Sequence, residues 1–482
     1  MSRTFDELQA SLVERLRHTT PESDVHTIVV CPSLSFPLAE LRKIAGIQHY
    51  EGRLLFTALL LRNPALEIVY PSSLPIDPAI IDYYLAWLDD PAGARKRLHL
   101  LPVCDPGPQP LTRKLLDHPS ILTDIRALLH EPERSFILPF NVTPAEALLA
   151  ETLAIPIYGI HPNHVALGSK SGARQIAIEA GVEVFPGAGD LRSLDELEAA
   201  IARLREQRPN LTAVVAKLNH GFSGQGNVII DRDALRQPLA ASAAVFCAEE
   251  ETWETYAAKV AAEGAVVEEL VRAPGAASPS VQLRILPGGR TEVLSTHDQI
   301  LGGPDDQVYL GCRFPARAAY REAIIEAAKK VAHVLAGRGV LGSFGIDFVV
   351  VPDRGVYFSE INLRLGGTTH PFLMTHLMTG GDYDQDSGQL LVGGRPRVYK
   401  ASDNIKAAAY TSLTPRAVID AVAAAGLAYD PVTATGATLH LLGALPDHGK
   451  FGLVCIADSD AQADALHDAV LERIDALAGN QP

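Results

Sequence analysis

The segment that most narrows what this chain can fold into is FGIDFVVVPDRGVYFSEIN, residues 344–362. Two apolar, β-branched runs flank the turn Pro352-Asp353-Arg354-Gly355, a pattern that predicts a β-hairpin. Successive side chains of a strand point to opposite faces. A strand over 356–365 therefore sets Glu360, Asn362 and Arg364 on one face and Ile361, Leu363 and Leu365 on the other. Closing the turn with Val351 opposite Val356 puts Asp347 opposite Glu360. Like charges directly opposite destabilise a strand pair, so this pairing makes sense around a cation. Carboxylates and an amide oxygen are hard donors that suit Mg²⁺, and Arg364 on the same row would face whatever anion the metal holds. Phe348 and Val349 leave little room for an ordinary wet face. The run then breaks into Gly366-Gly367-Thr368-Thr369-His370-Pro371, where glycine lets a backbone approach a ligand closely.

The 482 residues suffice for about two to four domains. A net charge of −15 argues against a general nucleic-acid or anionic-membrane surface, while leaving room for a local basic pocket. The five cysteines are scattered and form no CxxC pair, which predicts a reducing compartment without a disulfide framework or zinc site. No stretch approaches the roughly 18 apolar residues of a membrane span. The first residues read as a charged amphipathic helix with a Thr4–Glu7 capping box rather than a signal peptide. The expectation is a cytoplasmic protein that binds neither nucleic acid nor membrane.

Strand–helix alternation over 1–165 predicts an N-terminal α/β domain with a parallel sheet, on strands 25–31, 66–71, 97–103 and 135–140 and helices from about 51 and near 77–88 and 120–130. Region 166–385 opens with helices 170–180 and 193–206 and becomes strand-rich: 211–217, 226–230, 243–247, 265–270, 280–286 and 290–296, then a long helix 316–336 and the hairpin. Residues 386–482 read as a small α+β domain with strands near 436–442 and 451–457 and a helix 461–477.

Four further constellations carry chemistry. In LTAVVAKLNHGFSGQGNVII, Lys217 ends an apolar strand and a glycine-rich turn follows, with His220, Gly221, Ser223, Gly224 and Gly226. Backbone N–H groups of such a turn can cradle phosphate and a lysine adds a point charge, although the turn alone equally suits a flexible hairpin connection. Lys170, at a helix start, could reach the same phosphate or be a solvated surface lysine. In AVVEELV the adjacent acids Glu268 and Glu269 face opposite ways, so one lies on an otherwise buried side. A flat aromatic ligand there would meet the main chain of Glu269, Leu270 and Val271. His297, Asp298 and Gln299 are read as following a strand, and His297 beside Asp298 suits either a catalytic pair or a turn-capping acid with a satisfied histidine, so no general-base role is assigned. Arg284 adds a basic side chain on a neighbouring strand.

In this order (lysine before a helix, lysine with glycine-rich loop, acidic hinge strand, acidic hairpin ending in Glu-x-Asn-x-Arg) the chain resembles the ATP-grasp superfamily over about 166–385. The phrases PSLSFPLAEL (32–41), HYEGRLLF (49–56), STHDQILGGP (295–304), EINLRLGGTTHP (360–371) and LHLLGALPDHGKFGLVCIADS (439–459) look like the pheganomycin-type peptide ligases, a carboxylate–amine ligase group. The resemblance implies an ATP-grasp fold with a pre-ATP-grasp domain before it, and ATP and Mg²⁺ as cofactors. Lys170 and Lys217 would contact phosphates under the mobile loop 220–226, the hinge 268–271 would hold adenine, and Asp347, Glu360 and Asn362 would bind Mg²⁺. Arg364 is the expected catalytic cation, with Lys217 and Arg284, and Gly366, Gly367, Thr368, His297 and Asp298 are expected at the substrate. The residues 272–280 carry no acid where many of that superfamily place one for the ribose. The implied reaction is ADP-forming: a carboxylate is phosphorylated and an amine attacks the acyl phosphate. The substrates would be a small-molecule or peptide carboxylate and amine, and no assembly beyond a homodimer is expected. Competing readings are a phosphotransferase on the same nucleotide site and a non-catalytic nucleotide-binding module.

Overall fold

Strand–helix alternation in the first third of the chain becomes a parallel sheet of four strands: β1 (Thr27–Cys31), β2 (Glu67–Ser72), β3 (Leu98–Pro102) and β4 (Ser135–Pro139), in the order β3-β2-β1-β4. The protein is described here from a computed structural model, which describes residues 3–17, 25–221, 224, 226–234, 238–239, 242–248, 250–303 and 308–479. All five residues of β1 are buried, as befits a strand covered on both faces. The helices Phe5–Leu16, with its Thr4 capping box intact, and Pro144–Leu153 cover one face. The run Ile47–Arg62 lies on the other and winds as a 3₁₀-helix rather than the expected α-helix. Nearly every residue from Leu54 to Leu61 is buried, so contacts on all sides, not an amphipathic stripe, set its winding.

The second sheet is antiparallel, with β5 (Gly187–Leu191), β6 (Ala213–Leu218), β7 (Asn227–Asp231), β8 (Val245–Phe246) and β9 (Ala265–Glu269) in the order β5-β9-β6-β7-β8. The helices Leu194–Gln207 and Trp253–Glu263 pack on it. The strand expected over 243–247 thus shrinks to two residues.

The third sheet holds β10 (Pro279–Ile285), β11 (Thr291–Gly302), β12 (Val308–Phe314), β13 (Gly342–Val351) and β14 (Gly355–Asn362). It continues through β15 (Asp382–Asp384), β16 (Gln389–Val392), β17 (Arg395–Lys406), β18 (Gly436–His440) and β19 (Lys450–Ala457), with β17 pairing both β12 and β19. Helices Lys170–Glu179 and Ala318–Gly337 bury one face of β10–β14. The helix Thr369–Thr379 was not anticipated, because a Gly-Gly-Thr-Thr-His-Pro run reads as a break, and neither were the strands β12 and β17. His297 and Asp298 accordingly lie inside β11, not after a strand.

The hairpin corrects the sequence register in an instructive way. Val351 pairs with Gly355 and Phe348 with Phe358, one residue off the expected pairing. A β-bulge at Ser359 inserts one residue, and beyond it Asp347 faces Glu360 as the polar row requires. The strand ends at Asn362 instead of running to 365. All five cysteines are free, and among the described residues no helix is long and apolar enough to cross a membrane.

Phe314 is fully buried and stacks on Tyr399 of β17, ring centroids 5.2 Å apart. Phe314→Ala should cost about 3–5 kcal/mol, the usual loss for an aromatic removed from a core. Urea unfolding measures it, and a loss under about 1 kcal/mol would contradict this packing.

Candidate active site

The three sheets surround a cleft of about 880 Å³, within the range of small-molecule sites. Its floor is the polar row of β13 and β14. The Asn362 amide nitrogen lies 3.0 Å from Asp347 Oδ2 and 3.0 Å from Glu360 Oε1, so the two acids converge on one point. Asn362 Oδ1 accepts from Arg364 Nη2 at 2.9 Å. To offer its oxygen to a cation, Asn362 has to turn its amide over and give up that bond. The converging carboxylates are a hard-oxygen donor set that fits a divalent cation. Burial pushes the Asp347 carboxyl up to about 6, against the pull of Lys170, Arg364 and hydrogen bonds from Asn362 and Gln299. Gly345 keeps this row open, since a Cβ there would come within 2.8 Å of the Gln282 amide.

Lys170 starts the helix Lys170–Glu179, whose first turn is tied down by Ser169 and by Asn219, the latter accepting from Ser171 N at 2.9 Å. Its ammonium group contacts the Glu360 carboxylate. Burial, with repulsion from Lys217, pushes Lys170 down to about 7. Lys217 comes from β6 and is held by the Glu268 carboxylate at 3.1 Å, while the other oxygen of Glu268 accepts from Arg174 at 2.7 Å. Glu268 is thus the inward acid of its pair, lining the cleft while it fixes two cations. Glu269 faces the other way and binds the Arg354 guanidinium at 3.1 and 3.2 Å. Residues 268–271 all line the cleft, with Glu269 N bonded to Pro186 O and Leu270 N to Ala213 O.

Arg364 follows the strand and still reaches the row, as expected. Its guanidinium lies over Phe36 at 5.4 Å and Phe140 at 5.9 Å, and Leu365 N donates to Phe140 O at 3.1 Å. The N-terminal sheet therefore closes directly on this end of the site. Burial pushes Arg364 down to about 10.

In the glycine-rich turn, Gly221 and Gly224 line the cleft. Gly221 and Gly226 cross so closely that a Cβ on either would sit 3.1 Å from the other's Cα. Gly226 serves that crossing rather than the lining, and His220 is exposed, its N–H donating to Glu263 at 2.9 Å. Ser223 lies outside the described residues. Gly366, Gly367 and Thr368 line the cleft, with Gly367 against the Tyr309 ring.

Three expected residues are elsewhere. Arg284 pairs with Glu292 at 2.6 Å, further along β10 than the lining residue Gln282. His297 shares Asp347's face of the sheet, but Phe372 of the helix Thr369–Thr379 covers it together with Phe314. It is fully buried with Nε2 on the Tyr399 hydroxyl at 2.7 Å, and burial pushes it down to about 3. Asp298 points to the opposite face and accepts from Arg317 N and the Tyr320 hydroxyl at the start of the helix Ala318–Gly337. Gln299 and Leu301 of this stretch do line the cleft, and Gln299 bonds to Asp347. Alternation along β11 carries that signal once the strand is read past 296. Arg174 was also missed. It lies four residues after Lys170, hence on the same helix face, and that spacing was the available clue.

The model of the IQCH-like ATP-grasp family matches residues 233–385, and that of the PGM1 C-terminal domain matches residues 417–470. Over 467 residues the chain is 33% identical to L-propargylglycine–L-glutamate ligase of Streptantibioticus cattleyicolor, covering 95% of each chain. Biotin carboxylase from Campylobacter jejuni, solved as a β,γ-ATP complex, superimposes with a TM-score of 0.58 at 16% identity, over 93% of this chain and 91% of that one. The biotin carboxylase domain of Hydrogenobacter thermophilus 2-oxoglutarate carboxylase, in complex with MgADP, ADP and bicarbonate, does so with a TM-score of 0.55 at 14% identity, over 93% and 89%. At these identities the structural likeness speaks for the fold.

Glu268→Gln leaves Arg174 and Lys217 buried around a neutral amide. Removing one partner of a buried ion pair is strongly destabilising, and a loss of about 3 kcal/mol is expected by urea unfolding. A variant as stable as the parent would show that Glu268 does not compensate these cations.

Proposed function

The chain belongs to the pheganomycin-type peptide ligases of the ATP-grasp superfamily, and on that premise we propose that it activates a carboxylate with ATP and joins it to an amine, releasing ADP and phosphate. The observation that supports this reading best is one cleft lined by the facing acids Asp347 and Glu360, the cations Lys170, Lys217 and Arg364, and the hinge 268–271. The relative's name pairs two amino acids, so amino acids or short peptides are the proposed substrates.

A free carboxylate resists attack because it is negatively charged and has a poor leaving group. Phosphorylation removes both obstacles, and the amine then displaces phosphate to form an amide. Such a transfer asks the protein mainly for positioning and charge neutralisation. In this reading the adenine lies along the main chain of Glu269, Leu270 and Val271. Lys170 and Lys217 take the phosphates, and an anion between them relieves the repulsion that burial makes costly. Asp347 and Glu360 would hold Mg²⁺, joined by Asn362 if its amide turned over, and the ion would supply positive charge at the phosphates. Arg364, fixed between Phe36 and Phe140, steadies the reacting carboxylate. Gly366 and Gly367 leave space for the substrate beside that row, and Gly221 and Gly224 on the cleft wall help limit water that would hydrolyse the acyl phosphate.

The test is ADP release with MgATP across pairs of L-amino acids, using the intact chain and Glu360→Ala. The parent should release ADP only when carboxylate and amine are both supplied. Glu360→Ala should keep its fold by circular dichroism and lose at least about 10²-fold in rate, as is common when one preorganised contact is removed. A Glu360→Ala variant with normal turnover would remove Glu360 from the reaction.

A further inference from the structure

Next to Arg364, a second group of charges lines the cleft, brought together from three distant segments: Tyr50 and Arg53, Asp403 and Asn404, and Lys450. The Tyr50 ring lies between two cations, with Arg53 Cζ 4.4 Å and Lys450 Nζ 4.9 Å from its centroid. Lys450 donates to the Tyr50 hydroxyl at 2.5 Å and to Asn404 Oδ1 at 3.0 Å. Arg53 Nη2 pairs with Asp403 Oδ2 at 2.7 Å. Asp403 is held from behind, its Oδ1 lying 3.0 Å from His370 Nε2 and 2.8 Å from His440 Nε2. Burial pushes His370 down to about 4, against the pull of Asp403.

This arrangement leaves positive charge over. Asp403 pairs with Arg53, the bonds of Lys450 given above go to neutral groups, and neighbouring Glu40 is already paired with Lys43 at 3.1 Å. Among the described residues, Arg53 Nε is buried without a hydrogen-bond partner, a cost that a native protein seldom carries without a reason. The ammonium group of Lys450 has three N–H bonds, of which two are accounted for above, and Tyr50, which accepts from Lys450, keeps its own hydroxyl hydrogen to donate.

We propose that Arg53, Lys450 and Tyr50 form the receptor for the α-carboxylate that an amino-acid substrate retains through the reaction. The proposal rests on the ligase reading above. An amino acid that serves as the amine partner brings a carboxylate that is not consumed, and burying it requires a partner of opposite charge. The guanidinium and ammonium groups supply charge-assisted hydrogen bonds, and the tyrosine hydroxyl adds a neutral one. Asp403, His370 and His440 are positioning residues that fix Arg53. The receptor also gives a role to the segments HYEGRLLF and DHGKF, which the phosphate, hinge and metal assignments leave unused.

Calorimetry on the full chain loaded with Mg²⁺ and AMP-PNP tests this, with the twenty proteinogenic L-amino acids as probes and the α-carboxamide of each one that binds. In the parent, replacing the carboxylate by the carboxamide should weaken binding at least about tenfold, the loss typical of a charged hydrogen bond. In Lys450→Met and in Arg53→Gln that discrimination should fall below about threefold, with AMP-PNP affinity unchanged. Tyr50→Phe, which removes one hydroxyl and should not disturb folding, should lower the acid's affinity and leave the amide's unchanged. The proposal is overturned if no amino acid binds, if the parent binds acid and amide alike, or if all three variants keep full discrimination. ADP release separates this from the broader reading: a parent that ligates while its variants still discriminate refutes the receptor alone.

Discussion

Two carboxylates face each other across a β-ladder inside a cleft, and their repulsion is the constraint around which the molecule is arranged. Asp347 and Glu360 are set opposite by backbone pairing, not by choice of rotamer. Like charges at that spacing destabilise a strand pair, and the compensation comes from Asn362 on the hairpin itself and from groups carried by other elements. Lys170 arrives from a helix start and Arg364 from the chain just past the hairpin, while Lys217 of the second sheet is held beside them by Glu268. Each cation is fixed in turn, Lys217 by an acid shared with Arg174 and Arg364 by two aromatic rings of the N-terminal region. The site is therefore one network of charges and aromatic rings spread over all three sheets.

That spread explains why the sheets meet where they do. The segment leaving the hairpin bonds to Phe140 at the end of β4, and the helix after the Gly-Gly turn covers the part of the sheet that holds His297. The C-terminal strands extend the same sheet through β12 and β17 and bring Asp403, Asn404 and Lys450 to the cleft. The fold leaves two ends to one cleft, one lined by Lys170, Lys217 and residues 268–271 and the other by Arg53, Lys450 and Tyr50.

What was legible in the chain follows from the range of the signal. Strand alternation named the polar row, and it survived an error in the turn register because the bulge at Ser359 restores the facing of Asp347 and Glu360. Lys170 and Lys217 stood out as cations at element ends beside glycines. Arg284 and His297 were misplaced because alternation gives the face of a sheet but not which part of that face another element covers. Arg284 lies further along β10, and a helix opening with Thr-His-Pro looked like loop. The carboxylate receptor was beyond reach for a simpler reason: Arg53 and Lys450 lie about 400 positions apart, and no local pattern joins them.

The central claim is that Asp347 and Glu360 hold a divalent cation against the phosphates. Electron paramagnetic resonance of Mn²⁺ added to the protein with AMP-PNP measures this directly, by counting free ion as the complex forms. The account predicts a bound manganese signal in the parent and at least a tenfold weaker one in Asp347→Asn, roughly the loss seen when a ligand-shell partner is removed. Equal manganese affinity in the two proteins would contradict it.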